Sequence, residues 1–128
     1  MTWHFETDPE FQKQLDWIDE FVREEIEPLD FIITSPYDLT DPVRNDIIKP
    51  LQQQVQEREL WACHLGPDLG GPGYGQVKLA LMNEILGRAR CAPTVFGTQA
   101  PDTGNSEILA HFGTPEQKEQ FLEPLLKN

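Results

Sequence analysis

Residues 97–121 read GTQAPDTGNSEILAHFGTPEQKEQF, and the order of turn formers and apolar residues in this run predicts two consecutive helices. The first is expected to begin at about Asp102 or Thr103, with the Asp102 carboxylate accepting a backbone N–H as its N-cap. It should carry Ile108, Leu109 and Phe112 inward and stop at Gly113, because glycine is common just past a helix end. Thr114-Pro115-Glu116-Gln117 then has the form of a capping box. The threonine hydroxyl takes the amide N–H of Gln117, and the glutamine side chain returns to the amide of Thr114. A last helix follows, with Phe121, Leu122, Leu125 and Leu126 as its apolar positions.

The same punctuation recurs upstream. Asp8-Pro9 is a helix start with proline at the first helical position, and Phe11, Leu15, Ile18, Phe21, Val22 and Ile26 follow at three- and four-residue spacing up to Pro28. Trp17 widens that apolar face, while Asp16, Glu20, Glu24 and Glu25 fall on the solvated side. Asp41-Pro42 repeats the signal for a second helix with Val43, Ile47, Leu51, Val55 and Leu60 along one face. Pro50 lies inside it and is expected to kink it. Between these helices Pro36 closes the run Phe31–Thr34 too early for a strand, so residues 30–41 read as an extended loop.

HLGPDLGGPGYGQ, residues 64–76, holds five glycines and two prolines, so no regular element passes through it and a structured turn is expected. From Gln76 to about Gly87, Val77, Leu79, Ala80, Leu81, Met82, Ile85 and Leu86 cover most of a helix circumference, which predicts burial on more than one side. A short helical turn is expected over Thr94–Gly97. The sum is an all-α bundle of five or six helices without a strand pair or an internal repeat.

Composition agrees with a folded chain. Its 128 residues suit one domain, and 38% hydrophobic with 25% charged residues lies far from the composition of disordered chains. Twenty-two acidic against ten basic residues give a net charge of −12, which repels phosphate backbones and argues against a nucleic-acid partner. No run approaches the roughly 18 apolar residues of a membrane span, so no membrane insertion is expected. The opening MTWHFETDPEF has neither a basic n-region nor an apolar core, and its early acids argue against mitochondrial import. Cys63 and Cys91 form no disulfide framework, which favours a reduced, cytoplasmic protein.

Motifs that carry chemistry are sparse. The glycine-rich loop lacks both the strand-then-GxGxxG pattern and the lysine and hydroxyl of a P-loop, and reads as a structural turn. Cys63, His64, Cys91 and His111 have no metal-ligand spacing, so no metal is expected. Ser106 and His111 are five residues apart on different helix faces, and no GxSxG turn surrounds the serine. The carboxylates lie on solvated faces, and no catalytic residue is nominated. Met82, Trp17, Trp61 and Phe112 take apolar helical positions suited to core packing.

The string APDTGNSEILAHFGTPEQKEQFLEPLL, residues 100–126, resembles the last two helices of the N-terminal domain of flavin-dependent acyl-CoA dehydrogenases, in the branch carrying an APDTGN segment. REEIEP, LGPDLGGPGYGQ and EILGRA agree with that family in order, and the likeness runs from Pro9 onward, weakest in the first helix and in residues 30–41.

The resemblance implies an oxidoreductase that desaturates acyl-CoA thioesters between the α and β carbons and passes a hydride to FAD, which carries the redox step. It further implies an electron acceptor such as an electron-transfer flavoprotein, a homo-oligomer and a place in fatty acid metabolism. In such enzymes the catalytic glutamate belongs to a C-terminal helical domain and most flavin contacts to a middle β domain. Both are expected to be absent from residues 1–128, leaving a segment that is inactive and flavin-free alone.

By the same resemblance Phe96, Gly97, Thr98, Gln99 and Ala100 contribute to the wall of the acyl-chain pocket. Gly97 and Ala100 would let a chain pass close to backbone, and Phe96 would close one end. The rival expectation is a non-enzymatic helical module whose apolar surface, above all on the helix at Gln76–Gly87, pairs copies of the chain.

Overall fold

The computed structural model describes residues 6–127. The reading of the opening as free of a secretory leader rests partly on residues 1–5, which lie outside the described residues, as does Asn128. Among those described, every regular element is helical, as the sequence predicts.

Helix α1 spans Pro9–Phe21 and continues through a π-helical turn, Val22–Ile26, into a 3-10 helix, Glu27–Phe31. Asp8 caps α1, its carboxylate accepting the Phe11 amide N–H at 2.9 Å. Lys78 pairs with the same carboxylate at 2.7 Å and holds it below the usual aspartate range, with the Phe11 bond acting in the same direction. Phe11, Leu15, Ile18 and Phe21 are buried along the predicted stripe, and Val22 and Ile26 continue it. The segment expected to be an extended loop begins as this 3-10 helix and then runs through turns.

That segment is held down by a polar staple. Asp30 accepts the amides of Arg90 and Cys91 at 2.8 and 3.1 Å. The Arg90 guanidinium in return donates to the carbonyls of Asp30, Ile33 and Thr34. Backbone groups without a ladder partner are satisfied by side chains instead.

Helix α2, Pro42–Glu57, starts at Asp41 as predicted, with the carboxylate accepting the Val43 amide at 2.9 Å. It runs unbroken through Pro50. Its buried face is rotated from the predicted one: Arg44, Ile48, Leu51, Gln52 and Val55 are buried, while Val43 is 55% exposed and Ile47 only partly covered. The reason is that two polar residues find partners inside. Arg44 Nε donates to the Pro36 carbonyl at 2.8 Å and Gln52 Nε2 to the Thr94 carbonyl at 3.1 Å, which offsets the desolvation of burying them.

The glycine-rich segment is a structured turn around a 3-10 helix at Pro67–Leu69. Gly71 N–H donates to the Gly66 carbonyl and Gly73 N–H to the Leu65 carbonyl, at 3.0 and 3.1 Å. Gly73 has φ +73°, and a side chain at Gly71 would collide with the Leu65 carbonyl, so both glycines are required.

Helix α3, Gln76–Leu86, buries only Met82 and Leu86 completely. Leu79, Leu81 and Ile85 pack partly against the core, whereas Val77 is 77% exposed. The expected multi-sided burial is therefore corrected: α3 packs along α1 on one side and leaves an apolar edge open.

Candidate functional site

Helix α4, Ala92–Val95, is displaced two residues toward the N-terminus from the expected turn and leads into the segment singled out as a pocket wall. Its five residues part company. Phe96 is fully buried in the main core, edge-on to Phe21 with ring centroids 6.1 Å apart. Gly97 turns the chain at φ +65°, and a Cβ there would stand 2.6 Å from Cε2 and Cζ2 of Trp61. Thr98 folds back, its amide donating to the Pro93 carbonyl at 2.8 Å. Gln99 Nε2 donates to the Asp102 carboxylate at 2.7 Å, Ala100 is exposed, and the Ala100–Pro101 bond is cis.

Helix α5, Asp102–Phe112, follows. Pro101 occupies the cap position, and Asp102 lies one residue inside the helix with its carboxylate committed to Gln99, so it is not the predicted N-cap. The inward face also differs. Ser106 and Ala110 are buried, Ala110 against Ala62 and Leu65, while Ile108 and Phe112 are 60% and 82% exposed. Small residues four positions apart let the helix approach the Ala62–Leu65 turn closely, which turns its larger apolar residues outward.

Gly113 ends α5 as expected, and the capping box is complete: Gln117 N–H donates to Thr114 Oγ1 at 3.3 Å and Thr114 N–H to Gln117 Oε1 at 2.9 Å. The last helix begins as α6, Pro115–Gln117, passes through a π-helical turn at Lys118–Leu122 and ends as α7, Glu123–Lys127. Trp61 Nε1 donates to the Leu125 carbonyl at 3.3 Å and Gln56 Nε2 to the Lys127 carbonyl at 3.1 Å, tying α7 back to the end of α2.

These elements enclose an open cleft of about 980 Å³. Gly97, Gln99 and Ala100 line it, together with Ile108 and Leu109 of α5 and Phe121, Leu125 and Leu126 of the last helix. Phe96 and Thr98 do not. Phe96 is drawn into the core because full burial of an aromatic ring is worth roughly 2–3 kcal/mol. Opposite lie Tyr37 and Leu39, with Arg44, Lys49 and Gln52 from α2. The volume and mostly apolar lining suit an elongated organic ligand.

One pairing on the cleft wall was not legible in the sequence. His64 Nε2 and Ser106 Oγ stand 2.9 Å apart although 42 residues separate them. Ser106 donates its own proton to the Thr103 carbonyl at 2.9 Å, so it accepts from His64 Nε2–H, which assigns the tautomer. His64 Nδ1 is then a buried acceptor without a partner among the described residues. Burial lowers the His64 pKa, with Glu107 opposing. A serine proton given to backbone and a histidine acting as donor do not form the nucleophile and base of a hydrolase. Spacing offered no signal for this contact, since His64 belongs to an irregular turn.

Cys63 and Cys91 are buried free thiols pushed up to about 11, in both cases chiefly by burial. Among the described residues no group of three or more His, Cys, Asp or Glu side chains is arranged to hold a metal ion, and no helix is long and apolar enough to cross a membrane.

Comparison with known proteins gives a consistent result. Residues 8–128 match the family model described as acyl-CoA dehydrogenase, N-terminal domain. The chain is 43% identical over 81 residues to acyl-CoA dehydrogenase family member 11 of Homo sapiens, covering 63% of this chain and 10% of that protein. It is 30% identical over 127 residues to family member 10 of Mus musculus, covering 93% and 12%. A solved structure described as a candidate acyl-CoA dehydrogenase from Mycobacterium abscessus superposes with a TM-score of 0.80 at 29% identity, covering 96% of this chain and 33% of that one. The chain thus spans about a tenth of the length of these curated relatives.

Proposed function

Since the chain belongs to the acyl-CoA dehydrogenase family, as its N-terminal domain, we propose that it serves an enzyme that desaturates acyl-CoA thioesters, and that its own part is to wall the acyl chain. The observation that carries this reading is the cleft of about 980 Å³, lined by Gly97, Gln99 and Ala100 just before α5 and by apolar residues of α5 and the last helix. Apolar walls exclude water from an alkyl chain, and each buried methylene is worth about 0.8 kcal/mol.

In the working enzyme FAD would supply the hydride-accepting chemistry, and an electron-transfer flavoprotein is the proposed acceptor of the electrons. The glycine-rich turn does not fit a flavin pyrophosphate. Its Gly70, Gly71 and Gly73 amides already donate to Pro67, Gly66 and Leu65 carbonyls, so they are not free to hold an anion. No described residue is assigned to the flavin, and we assign no proton transfer to this segment.

Titration of the purified chain with decanoyl-CoA, followed by Trp61 fluorescence against a Trp61→Phe control, tests the cleft. A saturable change that free CoA does not reproduce supports it, and equal responses contradict it. If the same chain carried a flavin spectrum and reduced a dye with an acyl-CoA, the division of labour proposed for it would be wrong.

A second reading, self-association, is favoured by the exposure of Val77 on α3 and of Ile108, Phe112 and Phe121, since exposed apolar surface drives contact between chains. Sedimentation at several concentrations tests it, and a strictly monomeric chain counts against it.

A further inference from the structure

Arg44 has no role in the reading above, yet its side chain is in an unusual position. The residue is only 4% exposed, and it lines the cleft. Nε donates to the Pro36 carbonyl and one terminal nitrogen to Asn45 Oδ1 at 2.9 Å, but neither partner is charged. Among the described residues no carboxylate lies within ion-pair distance of its guanidinium.

Asp38 and Asp41 act on it at longer range, and Cys91, the other titratable group nearby, is a neutral thiol at pH 7. Burying a cation without a counter-charge is costly, and a guanidinium stays charged at any physiological pH. The cost is recovered when an anion occupies the cleft.

The surroundings favour that sign. Although the whole chain carries −12, among the described residues the cleft lining holds two cations, Arg44 and Lys49, and a single carboxylate, Asp102, which is already hydrogen-bonded by Gln99. Lys49 is exposed five residues beyond Arg44 on α2 and makes no ion pair among the described residues. A locally cationic wall facing apolar α5 and α7 side chains matches a ligand with an apolar body and an anionic group.

We propose that Arg44, assisted by Lys49, is an anion-binding subsite of the cleft, taking a carboxylate or phosphate carried by an otherwise apolar ligand. The inference rests on the acyl-binding reading of the cleft. The anion has two chemical sources: a charged group on the acyl chain itself, or a phosphate of the nucleotide carrier.

The test uses the 128-residue chain and three probes, read by Trp61 fluorescence and calorimetry: decanoate, decanol of equal length, and adenosine 3′,5′-bisphosphate. Decanol reports the apolar cleft alone, so its failure to bind overturns both readings. The subsite predicts that at least one anion binds more tightly than decanol. That affinity should fall with added salt, drop about tenfold in Arg44→Gln and about threefold in Lys49→Gln, and recover partly in Arg44→Lys.

In each of the three variants decanol affinity should fall by a smaller factor than anion affinity. Dependence of decanoate on Arg44 assigns the anion to the chain, and dependence of the bisphosphate assigns it to the carrier. Lys49→Gln keeps the test open if Arg44→Gln fails to fold, because Lys49 is exposed and makes no ion pair among the described residues. Decanol binding as tightly as both anions, or anion affinities untouched by Lys49→Gln and by Arg44→Lys or Arg44→Gln, overturns the subsite.

Discussion

Gly97 lies against the face of Trp61 so closely that a single added carbon would stand 2.6 Å from the indole ring, and its backbone is left-handed at φ +65°. Both residues line the cleft, at the point where α4 turns toward α5. Gly97→Ala therefore adds a steric clash to a strained backbone angle and is expected to destabilise the chain by about 1–3 kcal/mol. Gly104→Ala is the control. Its Cβ would meet nothing within 4 Å among the described residues and it lies within α5, so it should stabilise by about 0.5–1 kcal/mol. Urea unfolding of both variants measures the contrast, and a neutral Gly97→Ala would refute the contact.

Phe96 tests whether the residue before Gly97 belongs to the core or to the cleft. Fully buried and edge-on to Phe21, it should cost about 3–5 kcal/mol when replaced by alanine. A loss below about 1 kcal/mol would mean that the ring is not packed as described.

The His64–Ser106 pair predicts a pH dependence. The folded His64 pKa lies below its ordinary value of 6.5, chiefly through burial. The unfolded chain therefore binds the proton first as pH falls. The stability contributed by neutral His64 is fully present above the ordinary value and is lost as pH drops through the folded one. Unfolding midpoints should fall between pH 7.5 and 5.5 by more in the natural chain than in His64→Gln. Asp8, Asp38 and Glu116 also have lowered pKa values, but they act below their ordinary values of 3.8 to 4.5 and so lie outside this window. Equal shifts in both proteins would contradict the assignment.

The capping box at Thr114 makes a local prediction. Thr114→Ala removes the acceptor of the Gln117 amide and should cost about 1 kcal/mol. Hydrogen exchange should accelerate first in Gln117 and Lys118, and uniform acceleration across the chain would argue against a local effect.

What the sequence made legible was punctuation. Asp8-Pro9, Asp41-Pro42 and the Thr114 box each begin a helix, and Gly113 ends one, because those signals act within three or four residues of the chain. Helix faces were harder to read. On α2 the polar Arg44 and Gln52 go inside once Pro36 and Thr94 carbonyls meet them, and on α5 Ser106 and Ala110 win the interior from Ile108 and Phe112. Both outcomes depend on what a distant segment presents, and apolar periodicity carries no record of that. The candidate wall was legible only through resemblance to a family, and the cleft is lined by three of its five residues. The His64–Ser106 contact joins a turn to a helix across 42 residues and leaves no trace in local spacing.

The most direct test of the acyl-wall reading is residue-resolved. Amide chemical-shift mapping of the chain with decanoyl-CoA, and with free CoA as reference, should show chain-dependent shifts at Gly97, Gln99, Ala100, Ser106 and Leu109, with the core residues Phe11 and Ile18, which do not line the cleft, unmoved. Shifts confined to the exposed apolar edge of α3, or identical for decanoyl-CoA and CoA, would contradict it.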